Sequence, residues 1–448
     1  MFLANYVLET RWSIFAVKRY LHKTAPVSSS TATESIPRIR QSRHLNLISP
    51  FLTTKTLLHS KNRKELRYLP DVGGSVLIVL DNFRVGGIQR LALDQLYVLR
   101  DLGIPAEAHY RQVGTTLSLP NFLSLEESRI NESGIKINGL PKSNWSQLLH
   151  FVDLFRKNNF STIVNHSVGS AVILKTAILL SGKQVLLKTY VHQLPTLSAT
   201  IQRLKRFVYS LFSDEIYGYS VAVTNDWNHR ITNRFLPNFI RRKLRMKTQR
   251  NGIYLDRLPS ISKNKSYLDD NRRLVFIGRS VGWKNIEKLF SLMRLSTLSS
   301  FEFVIIVPTI SEQLKQSAQT EFGQRIFFEI GKKIEDIEFR PGDIHIYPVD
   351  YGPGAKFVEA ISLNCLEMAC LGIPSIIAEN GSDTWPDLIE LGFFHEVNWN
   401  DEEEVILGIE TLRKRVFSEE LNSRARILIS IEKNIKEILS SNTISLRK

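Results

Sequence analysis

The chain has 448 residues, of which 43% are apolar, 10% aromatic and 23% charged, with a formal charge of +15 and two cysteines. That length supports two or three domains, each with its own core, and excludes a disulfide scaffold and a disordered tail. The longest apolar run, Ala171 to Leu180, is interrupted by Lys175 and falls short of the ~18 uninterrupted apolar residues that span a bilayer, which argues against an integral membrane enzyme.

The charge is uneven along the chain. Residues 1–70 carry twelve Lys/Arg against Glu9, Glu34 and Glu65, a net of +9, and the remainder carries +6. Residues 2–21 have the pattern of an amphipathic basic helix, which suits an interfacial anchor, an organelle-targeting segment or a poorly ordered leader. A moderately basic folded part suits acidic small ligands or a membrane surface. Without a zinc-finger or RRM-like pattern or a compelling helix-turn-helix match, nucleic acid is not an expected partner.

At Ser75 the texture changes. The aliphatic run Ser75 to Asp81 lies between Gly73-Gly74 and Gly86-Gly87 and reads as a buried parallel strand. A helix is expected over 88–102, a stop at Gly103, and a second strand over 104–110. Further strands are expected at 162–165, 184–191 and 219–224, with helices at 170–181 and 198–212. A polar, basic bridge over 241–271 precedes a second set: a strand at 273–278, a helix at 284–294, strands at 302–307 and 343–347, a helix at 363–371 and a strand at 375–378. A last helical stretch is expected over 401–439, crossing back toward the first domain. The reading is α/β, with two doubly wound Rossmann-like domains facing across a cleft: an extension over 1–70, a first domain over 71–250 and a second over 251–448. In such sheets ligands bind at the carboxyl ends of the strands. Cys365 and Cys370 are read as reduced core residues.

Three segments carry chemistry. In Glu359-Ala-Ile-Ser-Leu-Asn-Cys-Leu-Glu367, Ser362 is placed to cap a helix, and Glu367 falls inside the apolar stripe of Leu363, Leu366 and Cys370. A buried carboxylate costs several kcal/mol unless it is partnered; two ribose hydroxyls would serve, as would a buried Arg. Glu359 belongs before the helix, near its positive end, where phosphate binds readily. In Gly278-Arg279-Ser-Val-Gly-Trp-Lys284, a strand ends in glycine and is followed by a guanidinium fork and a point charge, suited to a leaving diphosphate. After the first strand, Gly86 and Gly87 open a helix and permit close backbone approach to a ligand. His192 and His166 each lie just past a strand.

Together these segments resemble the retaining, family 4-like glycosyltransferases of group 1, which have the GT-B fold. The resemblance rests on Glu359 and Glu367 with seven residues between them, followed by Met-Ala-Cys-Leu-Gly372-Ile-Pro374, on Trp385-Pro-Asp387, on Gly278-Arg279 with Lys284, on Asn251-Gly-Ile-Tyr254 and on Gly86-Gly87-Ile-Gln89-Arg90. It implies Glu359 at the donor sugar and Glu367 at the nucleotide ribose. Arg279 and Lys284 would lie on the donor phosphates with Gly278, Ser362 and Leu363, and His192 beside the reacting sugar. Gly86 and Gly87 would border the acceptor or the diphosphate. His166 resembles a second family histidine, and each histidine is also readable as a packing residue. Two departures stand out: Tyr254 replaces an acidic residue, and the loop 349–358 is longer than its counterpart.

The function this implies is transfer of a sugar from a nucleotide donor, a UDP- or GDP-sugar, to an acceptor hydroxyl in glycan or polysaccharide biosynthesis. The acceptor would be a glycan, a lipid-linked saccharide or a small molecule. No cofactor is expected, and no metal, because the chain has no Asp-x-Asp triplet. Another GT-B enzyme, such as an epimerase or a glycogen-synthase-like polymerase, and a non-catalytic subunit are the rivals. The expected location is cytoplasmic, with peripheral contact at the inner membrane face.

Overall fold

The computed structural model describes residues 74–83, 86–111, 122–195, 206–232, 237–259, 273–280, 284–349, 357–359, 361–379, 381, 383–415, 417–432, 435 and 439. The extension over 1–70, most of the loop at 349–358 and the first part of the helix expected at 198–212 lie outside them. Tyr68–Lys448 form one compact unit.

The first half is a seven-stranded sheet in which every pairing is parallel, ordered β3-β2-β1-β4-β5-β7-β8. Its strands are β1 (Ser75–Leu80), β2 (Ala106–Tyr110), β3 (Lys136–Gly139), β4 (Phe160–Asn165), β5 (Leu186–Val191), β7 (Glu215–Gly218) and β8 (Met246–Thr248). Helices α1 (Gly87–Asp101), α2 (Phe122–Ser133), α3 (Asn144–Lys157), α4 (Ala171–Ser181), α5 (Val221–Thr232) and α6 (Asn238–Leu244) connect them. β1 is central because its aliphatic residues from Val76 onward are all buried, as a strand covered on both faces requires.

The second half repeats the plan with six parallel strands, β11-β10-β9-β12-β14-β15. These are β9 (Arg273–Ile277), β10 (Glu302–Val307), β11 (Ile326–Ile330), β12 (Ile344–Tyr347), β14 (Ser375–Ala378) and β15 (Phe394–Val397). Its helices are α7 (Ile286–Met293), α8 (Glu312–Phe322), α9 (Leu363–Cys370), α10 (Pro386–Glu390), α11 (Glu402–Arg413) and α12 (Glu419–Ile429). A third, two-stranded sheet pairs β6 (Gln193–Pro195) of the first half antiparallel with β13 (Phe357–Glu359) of the second. One core cluster is shared by both halves, joining Val76, Leu93 and Tyr219 to Val275, Leu366 and Ile429.

Three expectations need correction. The strand expected at 219–224 is instead β7, ending at Gly218, followed by α5; Ser220 Oγ accepts the Val223 N–H at 3.0 Å and starts the helix despite the β-branched Val221, Val223 and Thr224. Helix α7 begins at Ile286 rather than 284, because Asn285 takes a left-handed conformation, φ 55°. The run 401–439 divides into α11 and α12. After α12 the chain brackets Ile253, whose N–H donates to the Ile429 carbonyl at 3.0 Å and whose carbonyl accepts from Ile431 at 3.1 Å. Both cysteines are buried and free. Among the described residues no helix is long and apolar enough to cross a membrane.

Candidate active site

The carboxyl ends of the two sheets face each other, and the singled-out residues collect there. Gly86 precedes α1 and its carbonyl accepts the Arg90 N–H at 3.1 Å. A methyl built on Gly87 would lie 3.9 Å from Leu363 Cδ1, so the glycine pair of the first half abuts the start of α9 in the second. Ser362 caps α9 as expected, its Oγ accepting the Asn364 N–H at 3.3 Å. Asn364 Nδ2 donates to the Ile277 carbonyl at 2.9 Å, tying the α9 N-terminus to the end of β9 and thus to Gly278. Arg279 follows, half-buried. Lys284 is buried. Its Nζ donates to the Tyr347 hydroxyl and sits 4.6 Å from that ring's centre, at the end of β12.

Adjacent strands supply a cluster of aromatic and imidazole rings. His166, His192 and Tyr219 follow β4, β5 and β7, which are neighbours in the sheet. His192 Nε2 lies 3.0 Å from His166 Nδ1, and His166 Nε2 lies 2.9 Å from Gln95 Oε1. Gln95 Nε2 in turn donates to the Tyr219 hydroxyl at 3.1 Å. Tyr219 stacks on Tyr190 at 4.9 Å, and its ring centre is 4.7 Å from that of His192. Burial pushes the His166 pKa down to about 3. Burial, His166 and Arg206 hold that of His192 well below the usual imidazole value, so both rings are neutral at pH 7.

Directly after His192, β6 pairs with β13 so that Gln193 is opposite Glu359. The backbone of one expected catalytic residue is therefore one position from the register partner of the other. The Glu359 side chain is outside the described set.

Glu367 is buried, and its partner is a buried Arg: Arg257 Nη2 donates to Glu367 Oε1. Arg257 Nε also donates to Asp94 on α1, at 3.1 Å to Oδ1 and 3.2 Å to Oδ2, and Nη1 donates to Glu335 at 3.3 Å. Arg90 joins Glu335 at 3.7 Å to Glu126 at 3.0 Å, and Lys333 approaches Glu126 at 3.5 Å. Four carboxylates thus surround three cations across the seam between the halves. Burial outweighs the attraction of Arg257 and raises the pKa of both Asp94 and Glu367. In Glu335 burial is outweighed by Arg90 and Arg257, and the pKa falls. Among the described residues only Oε1 of Glu367 is hydrogen-bonded, leaving Oε2 available.

Sequence reasoning missed Asp94, Gln95, Tyr219, Arg257 and Glu335. The departure at Tyr254 has a structural account: its ring stacks on Tyr97 at 5.2 Å and its N–H donates to Asp94 at 3.2 Å. Asp387 pairs with Arg250 at 2.8 Å. Among the described residues no group of three or more His, Cys, Asp or Glu is placed to hold a metal ion.

Two facing parallel sheets of this order match known structures along nearly their whole length. A glycosyltransferase from Rickettsia africae ESF-5 superposes with a TM-score of 0.59 at 13% identity, covering 84% of this chain and 99% of that one. HepE from Anabaena, solved with UDP-glucose, gives 0.56 at 14% identity over 82% and 99%. The chain has the GT-B fold. A further GT-B match is an alpha-glucosyltransferase in complex with UDP-glucose and DNA containing an abasic site, with a TM-score of 0.56 at 11% identity over 83% and 99%. No family model matches the sequence, and no curated protein matches it. The GT-B likeness therefore stands on three-dimensional arrangement.

Proposed function

We propose that the chain is a retaining glycosyltransferase that moves a sugar from a UDP- or GDP-sugar to an acceptor hydroxyl in glycan or polysaccharide synthesis. The observation that carries this reading is the β6–β13 pair, which brings the backbones of His192 and Glu359 together beside the capped start of α9. In this reading the second half, 251–448, binds the donor and the first, 71–250, presents the acceptor.

The start of α9, with Ser362 and Leu363, lies against Gly278, and its positive dipole end suits the donor diphosphate. Arg279 and Lys284 add the cationic charge that stabilises the leaving group as negative charge develops on it. Glu367, held through Oε1 by Arg257, offers Oε2 to a ribose hydroxyl. Glu359 and His192 are assigned to the donor sugar, and Gly86 and Gly87 to the acceptor or diphosphate. The anomeric C–O bond to the diphosphate breaks while the acceptor oxygen attacks from the same face. The acceptor's proton passes to the departing phosphate oxygen, so no protein base is required. The neighbours' UDP and UDP-glucose complexes favour a uridine donor.

The test is a thermal-shift and hydrolysis screen against UDP-, GDP-, ADP- and TDP-sugars, with Glu367→Ala and Arg279→Ala alongside. A ligand at a hundredfold excess over Kd stabilises the native state by ~2.7 kcal/mol. One nucleotide series that stabilises the native protein and neither variant supports the donor site. No response from any series favours a non-catalytic subunit. Lipid-linked, oligosaccharide and duplex DNA acceptors, each with and without anionic vesicles, then define the acceptor and any membrane contact of the basic extension.

A further inference from the structure

We infer that Gln95 and His166 are positioning residues that fix the tautomer of His192, so that its ring presents an unprotonated Nδ1, a hydrogen-bond acceptor, toward the donor sugar. The location of the sugar rests on the proposed function; the tautomer rests on the hydrogen-bond geometry and the burial of the rings.

Gln95 is 1% exposed and directs its amide Nε2 at the Tyr219 hydroxyl. Its Oε1 is therefore the atom facing His166 Nε2, at 2.9 Å. A carboxamide oxygen only accepts, so His166 Nε2 carries a proton. Burial keeps His166 neutral, and a neutral imidazole has one N–H. His166 Nδ1 is then a lone pair, and the 3.0 Å contact with His192 Nε2 is a hydrogen bond only if His192 Nε2 is the donor. His192, itself neutral, has its one proton on Nε2, which leaves Nδ1 as a lone pair. Among the described residues Nδ1 has no hydrogen-bonding partner.

The chain has a direction, and the direction is set at Gln95. Rotating that amide by half a turn would reverse each donor and acceptor from Tyr219 to His192 and present an N–H at the cleft instead. Tyr219 packs against both imidazoles and Tyr190 against that of His166, so the rings are held by packing while Gln95 decides the protons. The consequence for specificity is that the sugar must bring a hydroxyl that donates; a group that only accepts leaves two lone pairs opposed.

The proton positions are read directly from the imidazole 15N shifts of the 15N-histidine-labelled full chain at pH 7, with the two rings assigned from His166→Asn and His192→Asn. Both rings in the Nε2–H form is the expected result, and Gln95→Met, isosteric but without hydrogen bonds, should shift His192 toward a mixture of tautomers. A His192 ring in the Nδ1–H form, a protonated ring, or a tautomer indifferent to Gln95→Met overturns the proposal. Neutron diffraction from deuterium-exchanged crystals reads the same atoms without any variant. The sugar contact is tested through the Kd of UDP-glucose and its deoxy and deoxyfluoro analogues. At one ring position fluorine should weaken binding as much as deletion does, by about tenfold; fluorine that fully restores binding at every position where deletion weakens it refutes the acceptor role. Sugar nucleotides that do not bind while both rings are in the Nε2–H form refute the proposed function and leave the tautomer assignment standing.

Discussion

Replacing Arg257 by Met removes the cation on which the buried seam turns. Its side chain is fully buried, and it serves Asp94, Glu335 and Glu367 at once. Methionine fills similar space but leaves those carboxylates facing one another, with Arg90 still paired to Glu335 and Glu126. Breaking a buried ion pair from one side costs about 3–5 kcal/mol. For the single compact unit Tyr68–Lys448 the shift is roughly 1–2 °C per kcal/mol, so the apparent Tm should fall by about 5 °C. The loss should also depend on pH. Asp94 and Glu367 already have raised pKa values in the native state, and losing Arg257 removes a contribution that lowers them. A carboxyl with a raised native pKa binds more protons folded than unfolded, so stability is fully present below the unfolded value and falls as pH rises through the native one. The variant's deficit should therefore be larger at pH 8 than at pH 5. Calorimetric or fluorescence melts of both proteins across that range measure it. A loss under about 1 kcal/mol, or a deficit that grows on acidification, refutes the reasoning.

Glu359→Gln should reduce sugar transfer by about a hundredfold or more with an unchanged melting temperature, as expected for a group acting on developing charge; coupled release of nucleoside diphosphate measures it. Ser362→Ala removes the α9 cap and should cost about 1 kcal/mol of stability, visible in urea melts, together with weaker donor binding by calorimetric titration. Gly372→Ala should destabilise by about 1–3 kcal/mol, because Gly372 has φ +77° and a methyl there would meet Asn422 Nδ2 at 2.8 Å; thermal melts test this. Chelation with EDTA should leave turnover unchanged if Arg279, Lys284 and the α9 dipole stabilise the leaving diphosphate as proposed; coupled release of nucleoside diphosphate measures it.

Where one rule dominated, the sequence was readable. β1, β9 and β14 are short aliphatic runs ending near glycine, and β-branched residues in such a setting have few alternatives. Ser362 was recognisable as a cap because a cap is a local hydrogen bond. The strand misplaced to 219–224 shows the limit: Val221, Val223 and Thr224 favour a strand by propensity, and the helix they form depends on Ser220 and on the Val221 N–H donating to Thr384 Oγ1, 163 residues away, at 2.9 Å. Glu367 was legible as a charge needing a partner, with a ribose or a buried Arg left open. Which Arg it was depended on a contact spanning 110 residues that no local pattern encodes. Gln95 and Tyr219 gave no signal, since an uncharged polar residue on a helix and a tyrosine after a strand acquire meaning only when β4, β5 and β7 are set side by side.

The β6–β13 pair joins a segment of each half through backbone pairing. Its hydrogen bonds are made by the backbone, so they are indifferent to side-chain identity along Phe357–Glu359 but sensitive to count. A slip of one residue along the pair would reverse the face of every side chain on it. Inserting or deleting one residue in the loop that feeds β13 would thus act as a change of phase, moving the Glu359 backbone out of register with Gln193.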